Sequence, residues 1–136
     1  MARQPHHPEP HQIGLSALYD ALSDPARRRL LLSLAREGEL NCSSFGDDLS
    51  KTLLSYHLAR MREAGLTRTR AEGTSRYVTL RTQELQERFP GWLDVVLASI
   101  EAEQAEAAAS APSPAPAKRA AAKRGAPARR PARARP

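Results

Sequence analysis

The chain has 136 residues, which is enough for one hydrophobic core with a tail and too few for two separate core domains. Its single cysteine excludes an internal disulfide. The sequence shows neither a signal-peptide-like segment nor an apolar run of about 18 residues, so we expect a cytoplasmic protein with no membrane contact.

The positive charge is concentrated in two segments. Residues 110–136 hold eight Lys and Arg and no acid, whereas residues 1–109 hold thirteen Lys and Arg against fifteen acids. Residues 51–81 carry seven of those cations and only two acids, and the segments on both sides are acidic. A local excess of this kind predicts one molecular face directed at nucleic acid, which also suggests association with the nucleoid.

The N-terminal part begins with a polar, proline-rich stretch, and we expect residues 1–12 to be a disordered arm. Apolar residues then recur at helical spacing over residues 13–22. Asp24 and Pro25 supply an N-cap and a first-turn proline for a second helix, which is predicted to end near Arg36.

Residues 41–49 predict a short helix that follows a polar, cap-rich start and turns Phe45 and Leu49 inward. Ser50 can cap a longer helix after it. In that helix Leu54, Leu58 and Met61 have core spacing. A short helix, a turn and a longer helix form a helix-turn-helix.

The longer helix has a polar side that the core does not need. Polar and basic side chains fall there at Lys51, Thr52, Ser55, Tyr56 and Arg60. Such groups hydrogen bond to phosphates and base edges, so this side is predicted to recognise DNA.

A basic hairpin is predicted directly after that helix. Gly65 can end the helix as a C-terminal cap. Residues 66–70 and 76–80 are predicted to pair as strands about a turn at residues 71–75. The hairpin provides further candidate DNA contacts at Arg68, Arg70, Thr74 and Arg76.

From Gln83 the pattern returns to helix, with a wide apolar stripe interrupted at Pro90. The stripe consists of Leu85, Phe89, Trp92, Leu93, Val96 and Ile100. The predicted organisation is a domain over residues 13–106 and a disordered basic tail over residues 107–136. The predicted fold class of this domain is mainly α with a small β-hairpin (α+β). It is a winged helix-turn-helix with its elements in the order α-α-α-α-β-β-α.

Several short motifs together carry a resemblance to a known family. They are Ala21-Leu22-Ser23-Asp24-Pro25-Ala26-Arg27, Ser55-Tyr56-His57-Leu58, Arg62-Glu63-Ala64-Gly65-Leu66, and Gly73 followed by Tyr77. Over about residues 13–105 the chain resembles the ArsR/SmtB family of bacterial winged helix-turn-helix repressors. The resemblance implies a transcriptional repressor that binds double-stranded DNA as a homodimer.

The implied dimer would use the first and last helices. Candidate interface residues are Leu15 and Leu18 together with the apolar stripe after Gln83. An apolar terminal helix has more surface than one small domain easily covers, although the stripe could instead pack on its own domain. A twofold dimer predicts a pseudo-palindromic operator. His57 also matches the family's recognition helix, where it could contact a phosphate or pack at the junction of helix and wing.

The chain departs from the family at its metal sites. The cysteines of one family site correspond to Asn41 and Ser43, and Cys42 between them supplies only one thiol. The other family site needs an Asp and a His on the last helix, and Asp94 has no histidine after it. We therefore expect no metal or other cofactor, and a non-metal or unknown releasing signal. Cys42 could be a redox switch or an ordinary structural cysteine.

The sequence bears on two further function classes. A winged helix with an Ala/Pro/Lys/Arg tail also resembles a linker-histone arrangement, which would bind DNA with little sequence preference. An enzyme is not expected, because no nucleophile and base pair, glycine-rich phosphate loop or paired carboxylates stand out in the sequence.

Overall fold

The computed structural model describes residues 4–45 and 49–110, which form helices around a small antiparallel sheet. The helices are α1 (Leu15–Leu22), α2 (Pro25–Glu37), α3 (Lys51–Ala64), α4 (Thr82–Arg88) and α5 (Trp92–Ser110). The strands are β1 (Glu39–Asn41), β2 (Thr67–Glu72) and β3 (Ser75–Leu80), in the spatial order β1-β3-β2. This arrangement confirms the predicted mainly helical winged helix-turn-helix. Among the described helices, none is both long and apolar enough to cross a membrane.

The helix boundaries follow the predicted caps. The Asp24 carboxylate accepts a hydrogen bond from the Ala26 amide at 2.8 Å, and the Ser50 hydroxyl accepts one from the Leu53 amide at 3.1 Å. Gly65 ends α3 with φ of 95°, a left-handed conformation that a side chain disfavours. The wing therefore begins at a fixed point after α3.

The core lies between the inner faces of the helices and the sheet. On α3 it includes Leu54, Leu58 and Met61, as the helical spacing predicts. The remaining fully buried side chains include Leu18, Leu31, Leu34, Leu66, Val78 and Leu85. Because one side of α3 is held by this core, its opposite side is fixed in orientation and open to a partner.

The segment between α2 and α3 differs from the predicted short helix. Strand β1 pairs with β3, with Leu40 opposite Val78, and a single 3-10 turn follows at Cys42–Ser44. The Asn41 side chain accepts a hydrogen bond from the Ser43 amide at 2.9 Å, which ends the strand. Phe45 is half-buried, and residues 46–48 of the predicted helix lie outside the described residues.

The terminal helical region divides where Pro90 interrupts the pattern, and α5 continues to Ser110, beyond the predicted domain end at residue 106. Gly91, between α4 and α5, has φ of 81°. Residues 111–136, most of the predicted tail, lie outside the described residues.

Residues 4–12 of the predicted N-terminal arm are described, and two of their side chains contact strand β2. The Gln4 side-chain amide donates to the Ala71 carbonyl at 2.9 Å and accepts from the Ala71 amide at 3.0 Å. His7 Nε2 accepts from the Thr69 amide at 2.9 Å. Strand β2 is at the edge of the sheet, so these side chains satisfy backbone groups that a neighbouring strand would otherwise pair. These contacts depend on particular side chains, which composition alone does not predict.

Candidate nucleic-acid interface

The outer side of α3 presents four of the predicted DNA-contacting residues. Lys51, Thr52, Ser55 and Tyr56 are all exposed, and Tyr56 retains 52% of its accessible surface. They occupy the first two turns of α3, while the core residues occupy the opposite side. The structure therefore brings a cation, two hydroxyls and a phenol together near the N-terminal end of one rigid helix.

His57 does not belong to this exposed surface. It is 5% exposed, and its Nδ1 accepts a hydrogen bond from Arg27 Nε at 3.3 Å. Position 57 lies three residues after Leu54 and four before Met61, so it faces the interior of the fold. The sequence left open a phosphate contact or packing at the junction of helix and wing, whereas the structure places the His57 side chain against Arg27 of α2.

The register of the wing places its arginines on two different faces. Arg70 lies opposite Tyr77, whereas Arg76 lies opposite the buried Ala71. Residues directly opposite each other share a face, and side chains alternate between faces along each strand. Arg68 and Arg70 therefore lie on the outer face of the sheet, and Arg76 lies on the face that turns towards the core and α3.

The two outer-face arginines already have acidic partners. Arg68 contacts Glu84 at 3.0 Å, and Arg70 contacts Glu72 at 2.8 Å and Glu39 at 3.2 Å. Hydrogen bonds from Arg81 and then Arg68 lower the pKa of Glu84 to about 2, so this partner is ionised at neutral pH. Exposed pairs of this kind contribute little to stability, so a DNA phosphate can compete for either arginine.

Arg76 instead lies beside the recognition helix. A cleft of about 310 Å³ separates the two elements and is lined by Lys51 and Ser55 from α3 and by Thr74 and Arg76 from the wing. Cys42 also lines it, and burial raises the pKa of the Cys42 thiol, only partly opposed by the nearby Arg76. This cleft is where the described helix and wing present their hydroxyls and cations to the same space.

Arg60 lies further along α3 and is tied to the body of the domain. It contacts Asp20 of α1 at 3.4 Å and Glu63 at 3.5 Å, and 44% of its side chain remains exposed. Its charge is thus partly balanced within the chain.

The predicted dimer residues fall into two groups. Leu18, Leu85, Leu93 and Ile100 are each at most 3% exposed and pack inside this chain's own core. Leu15 is 42% exposed, and Phe89, Trp92 and Val96 are partly buried. The structure adds two exposed apolar residues that the sequence analysis did not single out, Tyr19 and Val95. Only the exposed and partly buried residues are available to a second copy.

The exposed side chains of Lys51, Thr52, Ser55 and Tyr56 form what we call the reading surface. Two residues near it were not among the residues predicted from the sequence. Leu53 on α3 is 43% exposed, and its position outside the core spacing was a signal that could have identified it. Arg27 is 8% exposed, and its guanidinium carbon lies 5.9 Å from the centre of the Tyr56 ring. No local sequence signal indicates that contact, because it joins residues 29 positions apart on different helices.

Comparison with known proteins identifies the same region. Residues 22–70 match a family described as a helix-turn-helix domain. The chain is 39% identical over 82 residues to an uncharacterized HTH-type transcriptional regulator, YceK, of Bacillus subtilis, covering 58% of this chain and 82% of that protein. It is 34% identical over 85 residues to the arsenic resistance transcriptional regulator ArsR1 of Pseudomonas putida, covering 61% of this chain and 62% of that protein.

A solved structure is also similar to this chain. An ArsR-like transcriptional regulator from Rhodococcus sp. RHA1 aligns with a TM-score of 0.48 at 25% identity, covering 73% of this chain and 93% of that one.

Proposed function

Because the chain belongs to the ArsR family of helix-turn-helix transcriptional regulators and binds DNA, we propose that it is a homodimeric repressor that recognises a pseudo-palindromic operator. The family also establishes that the protein is a regulator and not an enzyme. One observation carries the proposal: α3 is held by its core side while Lys51, Thr52, Ser55 and Tyr56 remain exposed together. A regulator of this kind acts at the nucleoid in the cytoplasm.

Base recognition comes from the polar groups of α3 in this proposal. Thr52 and Ser55 hydroxyls and the Tyr56 phenol can donate to and accept from base edges in the major groove. Lys51 and Arg76 flank the cleft between helix and wing, where their charges would meet the phosphate backbone. Phosphate contacts contribute affinity for all sequences, and base contacts contribute preference for one.

The outer wing arginines have a secondary role. Arg68 and Arg70 face away from α3 and are paired with acids, so each must exchange a partner to reach a phosphate. Arg76 has no such partner among the described residues. We therefore expect Arg76→Ala to weaken DNA binding more than Arg70→Ala does.

The dimer would form through the exposed apolar surface of α1 and α5. Leu15, Tyr19 and Val95 are the most exposed large apolar residues of these helices. Tyr19 and Trp92 connect the two helices within the chain, since the indole NH donates to the Tyr19 hydroxyl at 3.1 Å. A rigid apolar surface built from both helices is suited to an isologous contact with a second copy.

Release from the operator is proposed to respond to a signal other than metal. Asn41 and Ser43 occupy the positions that correspond to the family's paired cysteines, and the Asn41 side chain instead caps the turn that follows β1. One thiol, at Cys42, cannot provide a soft tetrahedral ligand set.

Selection from a randomised duplex library with the full-length chain tests this proposal. We expect enrichment of a pseudo-palindromic sequence whose half-sites lie about one helical turn apart. Enrichment of no sequence would contradict the proposal and favour architectural binding with little preference.

A further inference from the structure

The residues behind Tyr56 carry an inference that rests on the proposed function. Tyr56 is exposed and precedes the buried His57 on α3. The two aromatic rings are tilted by 58° with their centres 5.5 Å apart. An exposed tyrosine on a free helix surface would sample several side-chain rotamers, so its neighbours determine which orientation it presents.

Arg27 is the neighbour that contacts both rings. Its Nε donates to His57 Nδ1 at 3.3 Å, and its guanidinium carbon lies 5.9 Å from the centre of the Tyr56 ring. That distance is within the range of a cation–π contact. Arg27 is 8% exposed, so it lies beneath the reading surface and not on it.

Arg27 is itself held at the start of α2. It is the third residue of that helix, and its own amide donates to the Asp24 side chain at 3.4 Å. Its Nη2 lies 3.7 Å from the second Asp24 carboxylate oxygen. The guanidinium therefore has two polar partners, Asp24 at Nη2 and His57 at Nε, and its central carbon lies over the Tyr56 ring.

We propose that Arg27 is a positioning residue for DNA recognition, which acts from α2 by holding the Tyr56 ring in the orientation that reads the operator. It does not contact DNA. A ring that is already oriented loses less conformational freedom when DNA binds. The affinity for the cognate duplex therefore increases, whereas the affinity for non-cognate duplexes does not.

The size of the effect follows from the contact. A cation–π contact at a partly exposed site corresponds to a change of about two- to fivefold in an equilibrium constant. We therefore expect Arg27→Gln to lower the ratio of affinities for the selected and scrambled duplexes by that factor. Loss of one positive charge beside DNA should weaken both probes equally and leave this ratio unchanged.

The test measures both affinities by fluorescence anisotropy for the full chain and its variants. Arg29→Gln is the matched control, since Arg29 is exposed on the same helix, and it should keep the wild-type ratio. In a Tyr56→Ala background, Arg27→Gln should cause no further loss of the ratio. Arg27→Lys keeps the charge but lacks the Nε that donates to His57, so it should also lower the ratio. It serves as the test if the Gln variant does not fold.

The outcomes separate this inference from the proposed function. If Tyr56→Ala leaves the ratio unchanged, Tyr56 does not read bases and the proposed function is contradicted at that residue. If Tyr56→Ala lowers the ratio to about one but Arg27→Gln and Arg27→Lys keep the wild-type ratio, the positioning role of Arg27 is overturned. A loss of equal size with and without the Tyr56 side chain would also overturn it.

Discussion

Gly65 joins the recognition helix to the wing, and its replacement by alanine should be strongly destabilising. The residue has φ of 95°, and a Cβ built there would lie 2.6 Å from Ile13 Cγ1 and 2.8 Å from Ile13 Cδ1. The left-handed conformation costs a non-glycine residue about 1–2 kcal/mol. Ile13 is 1% exposed and has no solvent to move into, so overpacking adds about 1–3 kcal/mol.

Gly91→Ala provides the matched control for that prediction. Gly91 also has positive φ, of 81°, but a Cβ there would meet nothing within 4 Å. Gly91→Ala should therefore show only the cost of placing a non-glycine residue in the left-handed backbone conformation. Thermal unfolding followed by circular dichroism measures both variants, and for a domain of this size each kcal/mol lowers Tm by about 4–8 °C. Equal Tm values for the two variants would refute the argument that Ile13 packs against Gly65.

Three further measurements test other parts of the structure. Burial, and then Arg68, lower the pKa of His7 below 6.5, and its Nε2 must be unprotonated to accept from the Thr69 amide. The contact of His7 with Thr69 therefore stabilises the fold fully above pH 6.5, and this contribution is lost as pH falls through the lower folded-state pKa. The free energy of unfolding should thus decrease towards acidic pH in the wild-type protein. His7→Ala should remove this decrease, and the His11→Ala control should keep it. Val95→Asp should convert a dimer to folded monomers in sedimentation analysis, because Val95 is 65% exposed within one chain; a dimer of unchanged affinity would exclude this face. The raised pKa of Cys42 predicts slower alkylation by iodoacetamide at neutral pH than a small free thiol shows, and an equal or faster rate would contradict it.

The recognition helix was predictable because its signals are local. Ser50, the spacing of Leu54, Leu58 and Met61, and Gly65 each specify a boundary or a face within a few residues. The same reasoning located both long strands of the wing to within two residues.

The distribution of the wing arginines was not predictable, because it depends on one residue of register. A turn over residues 71–75 would set Arg70 opposite Arg76 on one face. The strands instead continue to Glu72 and Ser75, which sets Arg70 opposite Tyr77. A shift of one residue moves a side chain to the other face of the sheet, so Arg70 and Arg76 are separated.

The remaining differences concern contacts between distant segments. The three residues of β1 are too few to show an alternating pattern, and they form a strand because β3 offers a partner. Gln4 and His7 form hydrogen bonds with backbone groups more than 60 positions away along the chain. The burial of His57 likewise involves Arg27 on another helix. Local composition carries no information on such pairs.

We propose that α3 recognises the base sequence, whereas Lys51 and Arg76 beside the cleft bind the DNA phosphate backbone. A comparison of two variants tests this division directly. Affinities of the Tyr56→Ala and Arg76→Ala variants are measured for the selected duplex and for its scrambled counterpart at fixed salt. We predict that Tyr56→Ala removes most of the preference, and that Arg76→Ala weakens binding to both duplexes by a similar factor with the preference retained. Equal loss of preference in the two variants, or retention of preference in Tyr56→Ala, would contradict the account.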